Sequence, residues 1–440
     1  MVKKNKKPIS LHWKILFSLI LAIFAGLLTK PDTVLWFFCP YDLYAFIGTL
    51  FMNGLRMLSV PLVIASMISG LASIGSGKMV GKLGVRTIGF YALTTAIAII
   101  IGLFFINAVQ PGYEINPNNV PKITDLEKNK LDAAFRSNDD PSIDTKNIAV
   151  DIKHPTLNIF YQLVPPNVFQ AAADGQLMGL ITFSMLFGYF ILHTKEKHRI
   201  FLTEFWTATL ETIMLLTMWF LRFAPYGIFA LVAKSVAETG FSAFMPLIKF
   251  FLSVIAALAF HNFIVLSLFL YFMGGINPWL HIKAMMPAML TAFSTSSSSA
   301  SLPITIECVE KNAKVSNKIT SFVLPLGASI NMNGTALYEG MAVIFIAQAY
   351  GVHVSMDQQF IVLIAALLTS IGVAAIPSAS LVAITILLTT IGLPLEGIGL
   401  LMITDRILDM CRTVVNVYGD TCGAVIIARN MGEKNVLKPA

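Results

Sequence analysis

The chain has 440 residues, 56% of them hydrophobic and 12% charged, about half the charge of an ordinary soluble domain. Its formal net charge is +7, but the basic residues gather in short stretches between apolar runs, which marks one side of a membrane and argues against a nucleic-acid surface. Four scattered cysteines (Cys39, Cys308, Cys411, Cys422) argue against a disulfide framework or metal centre, and GSGKMVGK near residue 75 lacks the spacing of a phosphate loop, which argues against an ATP-driven pump.

Residues 1–10 form a short basic tail with Lys3, Lys4, Lys6 and Lys7, expected on the cytoplasmic side. The apolar run 11–29 reads as a first span, because no small-residue cleavage site and soluble domain follow it. A second long span covers about 42–74 and carries Arg56 and Pro61. The basic segment GSGKMVGKLGVR, 75–86, reads as an inside loop, and a third span follows over 87–110. Residues 111–155 are rich in Asp, Asn, Lys and Pro and read as a polar extracellular loop. Apolar sequence resumes near 157, breaks at Pro165 and Pro166, and ends at the basic HTKEKHR, 193–199. Spans near 200–235, interrupted at Pro225, and 241–274 come next. The alternation of an outer-membrane strand is absent, so the spans should be helices. The tail 429–440 is basic, which puts both termini of a multi-pass protein of the plasma (inner) membrane in the cytoplasm.

After residue 277 the pattern changes. TAFSTSSSSASLPIT, 291–305, and TSIGVAAIPSASLV, 369–382, each sit between two half-length apolar arms, and FVLPLGASINMNGTALYEG, 322–340, interrupts a span. Irregular backbone cannot face lipid, so the two flanked segments predict re-entrant hairpins, about 284–312 and 357–393, with tips buried in protein. The plainer reading of the serine run is a linker or helix-packing serines. Paired broken segments are the best sequence pointer to a transporter's binding site.

The stretch 405–420, DRILDMCRTVVNVYGD, carries the chemistry. From Asp409 the later polar residues Arg412, Thr413, Asn416 and Asp420 fall at +3, +4, +7 and +11, one face of one helix. A charge at the bilayer centre costs about 2.5–3.5 kcal/mol on insertion scales, so this stripe should face protein or a cavity. It is either a salt-bridged seam or a binding site. Arg can grip a carboxylate through two bonds, Asp can hold an ammonium, and Thr and Asn add neutral bonds, a set suited to a zwitterion with an extra carboxylate.

SSSSASLP at 296–303, NMNGT at 331–335, SIGVAAIP at 370–377 and DMCRTVVNVYGD at 409–420 together resemble the dicarboxylate/amino acid:cation symporters, the glutamate transporter family. The similarity extends over nearly all of 10–430. It implies an all-α membrane protein of eight transmembrane helices plus two re-entrant helical hairpins, assembled as a homotrimer in lipid and working as an elevator. Scaffold helices would lie in 11–74 and 156–235, and the transport domain in 87–110 and 241–428. The function implied is secondary uptake of glutamate and aspartate coupled to sodium and protons, without covalent cofactor or enzymatic activity. The alternatives are a purely proton-coupled glutamate or C4-dicarboxylate carrier and an anion-conducting channel on the same fold.

The resemblance assigns roles residue by residue. Arg412 would hold the substrate's side-chain carboxylate beside Thr335, Asp409 its ammonium with help from Thr413, and Asn416 and Ser298 its α-carboxylate, next to Ser297. Backbone around Ile376 and Ser380 would close over it. One sodium would meet Asp420 with Gly327, Asn331 and Asn416, and a second would meet carbonyls near Ser329, Ser370 and Gly372. A third would use Tyr91, Thr94, Thr95, Asn331 and the Asp of the family's NMDGT motif, which here is Asn333. That neutral amide removes a charge that would offset a dehydrated cation, so fewer coupled sodium ions are expected. Glu339 matches a titratable position of proton-coupled relatives; its plainer reading is a satisfied buried acid. The family's additional Arg, at the position of Ser296 or of Met410, is missing from both places.

Overall fold

A computed structural model describes residues 11–29, 39–72, 78–115, 164–173, 177–239, 244–372, 379–391 and 393–437. The expected N-terminal tail, nearly all of the polar loop 111–155 and the second hairpin's tip at 373–378 lie outside the described residues. Every regular element among the described residues is helical. That is how an apolar chain satisfies its backbone without water.

Among the described residues seven α-helices precede residue 240: α1 (Leu11–Leu28), α2 (Pro40–Ala72), α3 (Lys78–Val109), α4 (Val168–Ala173), α5 (Leu177–Ile191), α6 (Glu196–Phe220) and α7 (Ala224–Thr239). α2 continues through Pro61, and a short 3₁₀ turn at Leu221–Phe223 separates α6 from α7 just before Pro225. α3 begins at Lys78, so much of the basic segment expected as a loop is the first turns of that helix. Lys and Arg are good helix formers, and where they lie along the membrane normal does not end a helix. Next come α8 (Phe244–Phe260) and α9 (Leu266–Gly274), joined through a π turn at His261–Val265 into one long rod.

The remainder is broken into shorter pieces. α10 (Pro278–Thr295) and α11 (Ser298–Glu307) form an antiparallel pair that turns at Ser296. α12 (Asn317–Ile330) stops at Asn331 and Met332, and α13 (Asn333–Ala349) restarts immediately. α14 (Met356–Gly372) and α15 (Ala379–Ile391) pack together as the arms of the second expected hairpin, and α16 (Ile398–Asn430) closes the helical part of the chain.

Packing sorts these helices. α1, α2 and α5–α7 contact mainly one another, whereas α3 and α8–α13 gather around α16; α7 also reaches α16, and α2 and α5 also touch α14 and α15. All 17 residues of α13 are buried, so it is a central rod touched on every side by α3, α8, α14, α15 and α16. The apolar core has two large clusters. One includes Ile99, Tyr338, Phe345, Leu408 and Val415; the other includes Phe90, Leu324, Val417, Tyr418 and Ile426. α16 runs through both, and its polar stripe lies where they meet.

Among the described residues three helical stretches are long and apolar enough to cross a membrane: Leu83–Glu114, Glu196–Phe220 and Met245–Gly274. α16 is 33 residues long, and the charges in its stripe keep it from that group.

Candidate functional site

Asp405, Arg406, Asp409, Arg412, Thr413, Asn416 and Asp420 are all buried, Arg412 completely. Arg412 Nη2 donates to Asp405 Oδ1 at 2.9 Å, to Asp409 Oδ1 at 3.1 Å and to Ser380 Oγ of α15 at 2.9 Å. Its Cζ sits 3.9 Å from the centre of the Tyr338 ring, a cation–π contact that supports the guanidinium from α13. Nη1 and Nε of Arg412 have no hydrogen-bond partner among the described residues. Arg406 Nη1 reaches Asp409 Oδ2 at 3.3 Å, so both oxygens of Asp409 meet a guanidinium. Two Asp and two Arg thus interleave over two turns with no net formal charge.

The break before α13 explains Asn416. A helix start leaves N–H groups without intrahelical acceptors, and Met332 at the N-cap position supplies no side-chain acceptor. Asn416 of α16 does so across the interface. Its Oδ1 accepts from Gly334 N at 2.8 Å and Thr335 N at 3.4 Å, and its Nδ2 donates to Thr335 Oγ1 at 3.0 Å. The helices meet so closely there that a Cβ on Gly334 would stand 2.6 Å from the Arg412 carbonyl oxygen. Thr413 donates to the Asp409 carbonyl of its own helix at 2.8 Å.

Farther along α16, Asp420 Oδ1 accepts from Asn331 Nδ2 at 2.8 Å. A Cβ on Gly327 would stand 2.6 Å from both that carboxylate oxygen and the Tyr91 hydroxyl, so the room beside Asp420 depends on glycine. Tyr91 Oη donates to the Val323 carbonyl at 3.2 Å, and Thr95 Oγ1 donates to Asn333 Oδ1 at 2.6 Å. Asn331 Oδ1 and Asn333 Nδ2 are buried with no partner among the described residues. The Thr94 hydroxyl folds back onto the Phe90 carbonyl at 3.0 Å.

Glu339 is fully buried on α13, where its Oε2 accepts from Thr369 Oγ1 at 3.2 Å and its Oε1 has no partner among the described residues. The hydrogen bonds of the serine run are largely internal, while Ser296 Oγ is buried with no partner among the described residues. Ser296 turns the chain in the left-handed region (φ 50°), Ser297 Oγ accepts from Ala300 N at 3.2 Å, and Ser301 Oγ donates to the Ser297 carbonyl at 2.8 Å. Ser298, buried, opens α11, which packs against α16.

The structure therefore groups Asp409, Arg412 and Ser380; Asn416 with Thr335; Asp420, Asn331, Gly327 and Tyr91; and Thr95 with Asn333. The hydroxyls of Ser329 and Ser370 donate within their own helices, to the Pro325 carbonyl at 3.2 Å and the Leu367 carbonyl at 2.8 Å. Gly372 ends α14, and Ile376 lies outside the described residues. Asp405 stands out in the sequence as a polar residue of this stretch but without a role, and sequence reasoning misses Arg406 and Tyr338 as parts of this cluster. The (i, i+3) spacing of Arg406 and Asp409 is a usable signal for one of them.

The description of the sodium:dicarboxylate symporter family matches residues 11–430. The chain is 35% identical to the proton/sodium-glutamate symport protein of Geobacillus stearothermophilus, over 98% of this chain and 96% of that one. It is 35% identical to the proton/glutamate-aspartate symporter of Escherichia coli K12, over 97% and 94% of the two chains. It is also 36% identical to excitatory amino acid transporter 1 of Ambystoma tigrinum, over 87% of this chain and 76% of that one.

Proposed function

The chain belongs to the sodium:dicarboxylate symporter family, and from that premise we propose that it is a secondary active symporter for glutamate and aspartate, driven by sodium and protons. The observation that carries the acidic substrate is Arg412. It is fully buried and aimed by Asp405, Asp409, Ser380 and Tyr338, with Nη1 and Nε still open to a second, carboxylate partner. Thr335 stands with Arg412 toward the side-chain carboxylate, and Asp409 takes the ammonium with help from Thr413. The N–H groups that open α11 at Ser298, next to Ser297, suit the α-carboxylate, since a helix start favours an anion. Asn416 completes that side, and the segment around Ile376 and Ser380 covers the ligand.

The cations are substrates too. One sodium sits at Asp420 with Asn331, Gly327 and Asn416, and a second on carbonyls near Ser329, Ser370 and Gly372, where α12 packs on α14. Tyr91, Thr94, Thr95 and Asn333 surround the place of a third, which the neutral amide weakens. Glu339 carries a proton: burying a carboxylate without a partner on one oxygen is costly, and a proton removes that cost. The names of the two bacterial relatives, one proton/sodium and one proton/glutamate-aspartate, agree with both drives.

We also propose eight membrane spans with two re-entrant hairpins, a homotrimer, and an elevator motion in the plasma membrane with both termini inside. α1, α2 and α5–α7 pack mainly on one another and meet the rest where α7 touches α16 and where α2 and α5 touch α14 and α15, a division that supports a frame and a moving unit. The test is uptake of labelled glutamate and aspartate into liposomes, with sodium and proton gradients imposed separately. Concentrative uptake of both amino acids that requires sodium and is stimulated by an inward proton gradient is expected. Full uptake on a pH gradient without sodium would replace the sodium reading with a proton carrier, and downhill flux alone would replace the symporter with a channel.

A further inference from the structure

Asp409 has two oxygens, and each already meets a guanidinium where an incoming ammonium would bind. Oδ1 accepts from Arg412 at 3.1 Å and Oδ2 from Arg406 at 3.3 Å. The two contacts differ in length and in how the guanidinium is held. Arg412 also holds Asp405 at 2.9 Å and Ser380 at 2.9 Å, and it is locked against Tyr338. Arg406 lies one turn before Asp409, is 8% exposed and makes the longer contact. An ammonium that needs an oxygen of Asp409 displaces the weaker of the two.

We propose that Arg406 is a specificity-determining residue: a resident cation that occupies the ammonium position at Asp409 until substrate binds and yields it to the amine of an amino acid. The inference rests on the assignment of Asp409 to the ammonium proposed above. It has a chemical consequence. A buried carboxylate stripped of its cation is strongly unfavourable, so a dicarboxylate without an amine would be rejected if Asp409 were otherwise bare on that side. Arg406 stays in place for such a ligand and keeps Asp409 neutralised. It therefore favours amine-free dicarboxylates and taxes amino acids, which narrows the preference between them. Arg412 meanwhile offers its open Nη1 and Nε to the distal carboxylate of either ligand.

The experiment measures binding of aspartate and of succinate to the purified protein and to Arg406→Gln, Arg406→Lys, Asp409→Asn and the Arg406→Gln/Asp409→Asn pair. In Arg406→Gln the preference for aspartate over succinate rises by about tenfold, the size of one partly buried charge contact. Arg406→Lys, which keeps the charge, stays near the parent preference. When Asp409 is already Asn, the same Gln substitution moves the preference far less. A parent that binds aspartate with a preference unmoved by Arg406→Gln overturns this inference alone. So does an equal change on the Asp409→Asn background, because Arg406 would then act as a diffuse charge and not through Asp409. A parent that binds no acidic amino acid removes the functional reading and this inference with it. Folding of each variant is read independently from its elution as a single species in detergent and from the Arg406→Lys control.

Discussion

Asp409 and Asp420 lie about three turns apart on one face of α16, both buried, and their surroundings differ in kind. Asp409 belongs to a cluster in which Asp405, Arg406 and Arg412 cancel its charge. Asp420 has an amide donor from Asn331, a glycine at Gly327 and the nearby Tyr91 hydroxyl, and among the described residues it forms no ion pair. A cluster that neutralises itself can stay buried without substrate and select its ligand by exchanging partners. A lone carboxylate ringed by neutral oxygens and amides calls for a cation from outside. In the proposed symporter the first arrangement suits the amino acid and the second suits sodium.

The largest way to break this comparison is to unbalance the first cluster. Arg412→Cys leaves Asp405 and Asp409 without their shared guanidinium and removes the donor set for the substrate's side-chain carboxylate. We expect acidic amino acid binding to fall by about 2–5 kcal/mol, the cost of truncating one member of a buried charged pair, with weak binding of neutral amino acids such as serine gained in exchange. Isothermal calorimetry with aspartate and serine checks it. Aspartate affinity within tenfold of the parent would remove Arg412 from the substrate site.

At the other end of the stripe, Asp420→Asn takes away the formal charge of the second cluster. Sodium affinity should drop by at least about a hundredfold while binding of aspartate at saturating sodium persists, because the balanced cluster around Arg412 is untouched. Sodium titrations of uptake measure this. Unchanged sodium dependence would make Asp420 a packing partner of Asn331 and nothing more.

What the amino-acid sequence discloses of this fold and site depends on whether the signal is local. The stripe on α16 follows from residue spacing alone, and so does the break at Asn331–Met332, where small and amide residues interrupt an apolar run. The arms of both expected hairpins stand out as half-length apolar segments. Partner choice is not local and does not stand out. Asn416 reads as a ligand in one dimension, and only the packing of α16 on α13 shows it capping Gly334 and Thr335. Arg412 reads as an open guanidinium, whereas Asp405, two turns earlier, already holds part of it. Tyr338 is one more apolar-looking position in a wholly buried helix, and only the tertiary packing puts its ring under Arg412. The start of α3 at Lys78 departs from the expected loop because charge marks the membrane boundary and not the end of a helix.

Glu339 sits between the two extremes. It is a buried acid like Asp420, but among the described residues its one hydrogen-bond partner is the Thr369 hydroxyl, without the ring of oxygens that a metal ion needs. A proton is the smaller compensation. Glu339→Gln should leave exchange of labelled for unlabelled glutamate within about threefold of the parent, a sub-kilocalorie effect, while flattening the response of net uptake to an imposed pH gradient. A variant that keeps its full pH response would locate the proton elsewhere.

The smallest expected effect sharpens the comparison by making the second cluster more like a saturated cation site. Asn333 gives its Oδ1 to the Thr95 hydroxyl and leaves its Nδ2 buried without a partner among the described residues. The Nδ2 atoms of Asn333 and Asn331 both lie within 3 Å of where a Cβ on Gly419 would stand, and a donor there repels a cation that a carboxylate would attract. Asn333→Asp replaces the orphan N–H₂ with a second oxygen and adds a negative charge near Asp420. Without sodium the two carboxylates oppose each other, so the sodium-free protein loses stability; with sodium the pair gains a ligand set of hydroxyl, amide and carboxylate oxygens. Sodium affinity should tighten about tenfold, equivalent to about 1.4 kcal/mol, and the sodium dependence of uptake should steepen. The check is thermal unfolding in sodium and in choline together with the sodium dose–response. A variant destabilised equally in both salts, with an unchanged dose–response, would mean that Thr95 and Asn333 form a structural hydrogen bond and that no cation enters there.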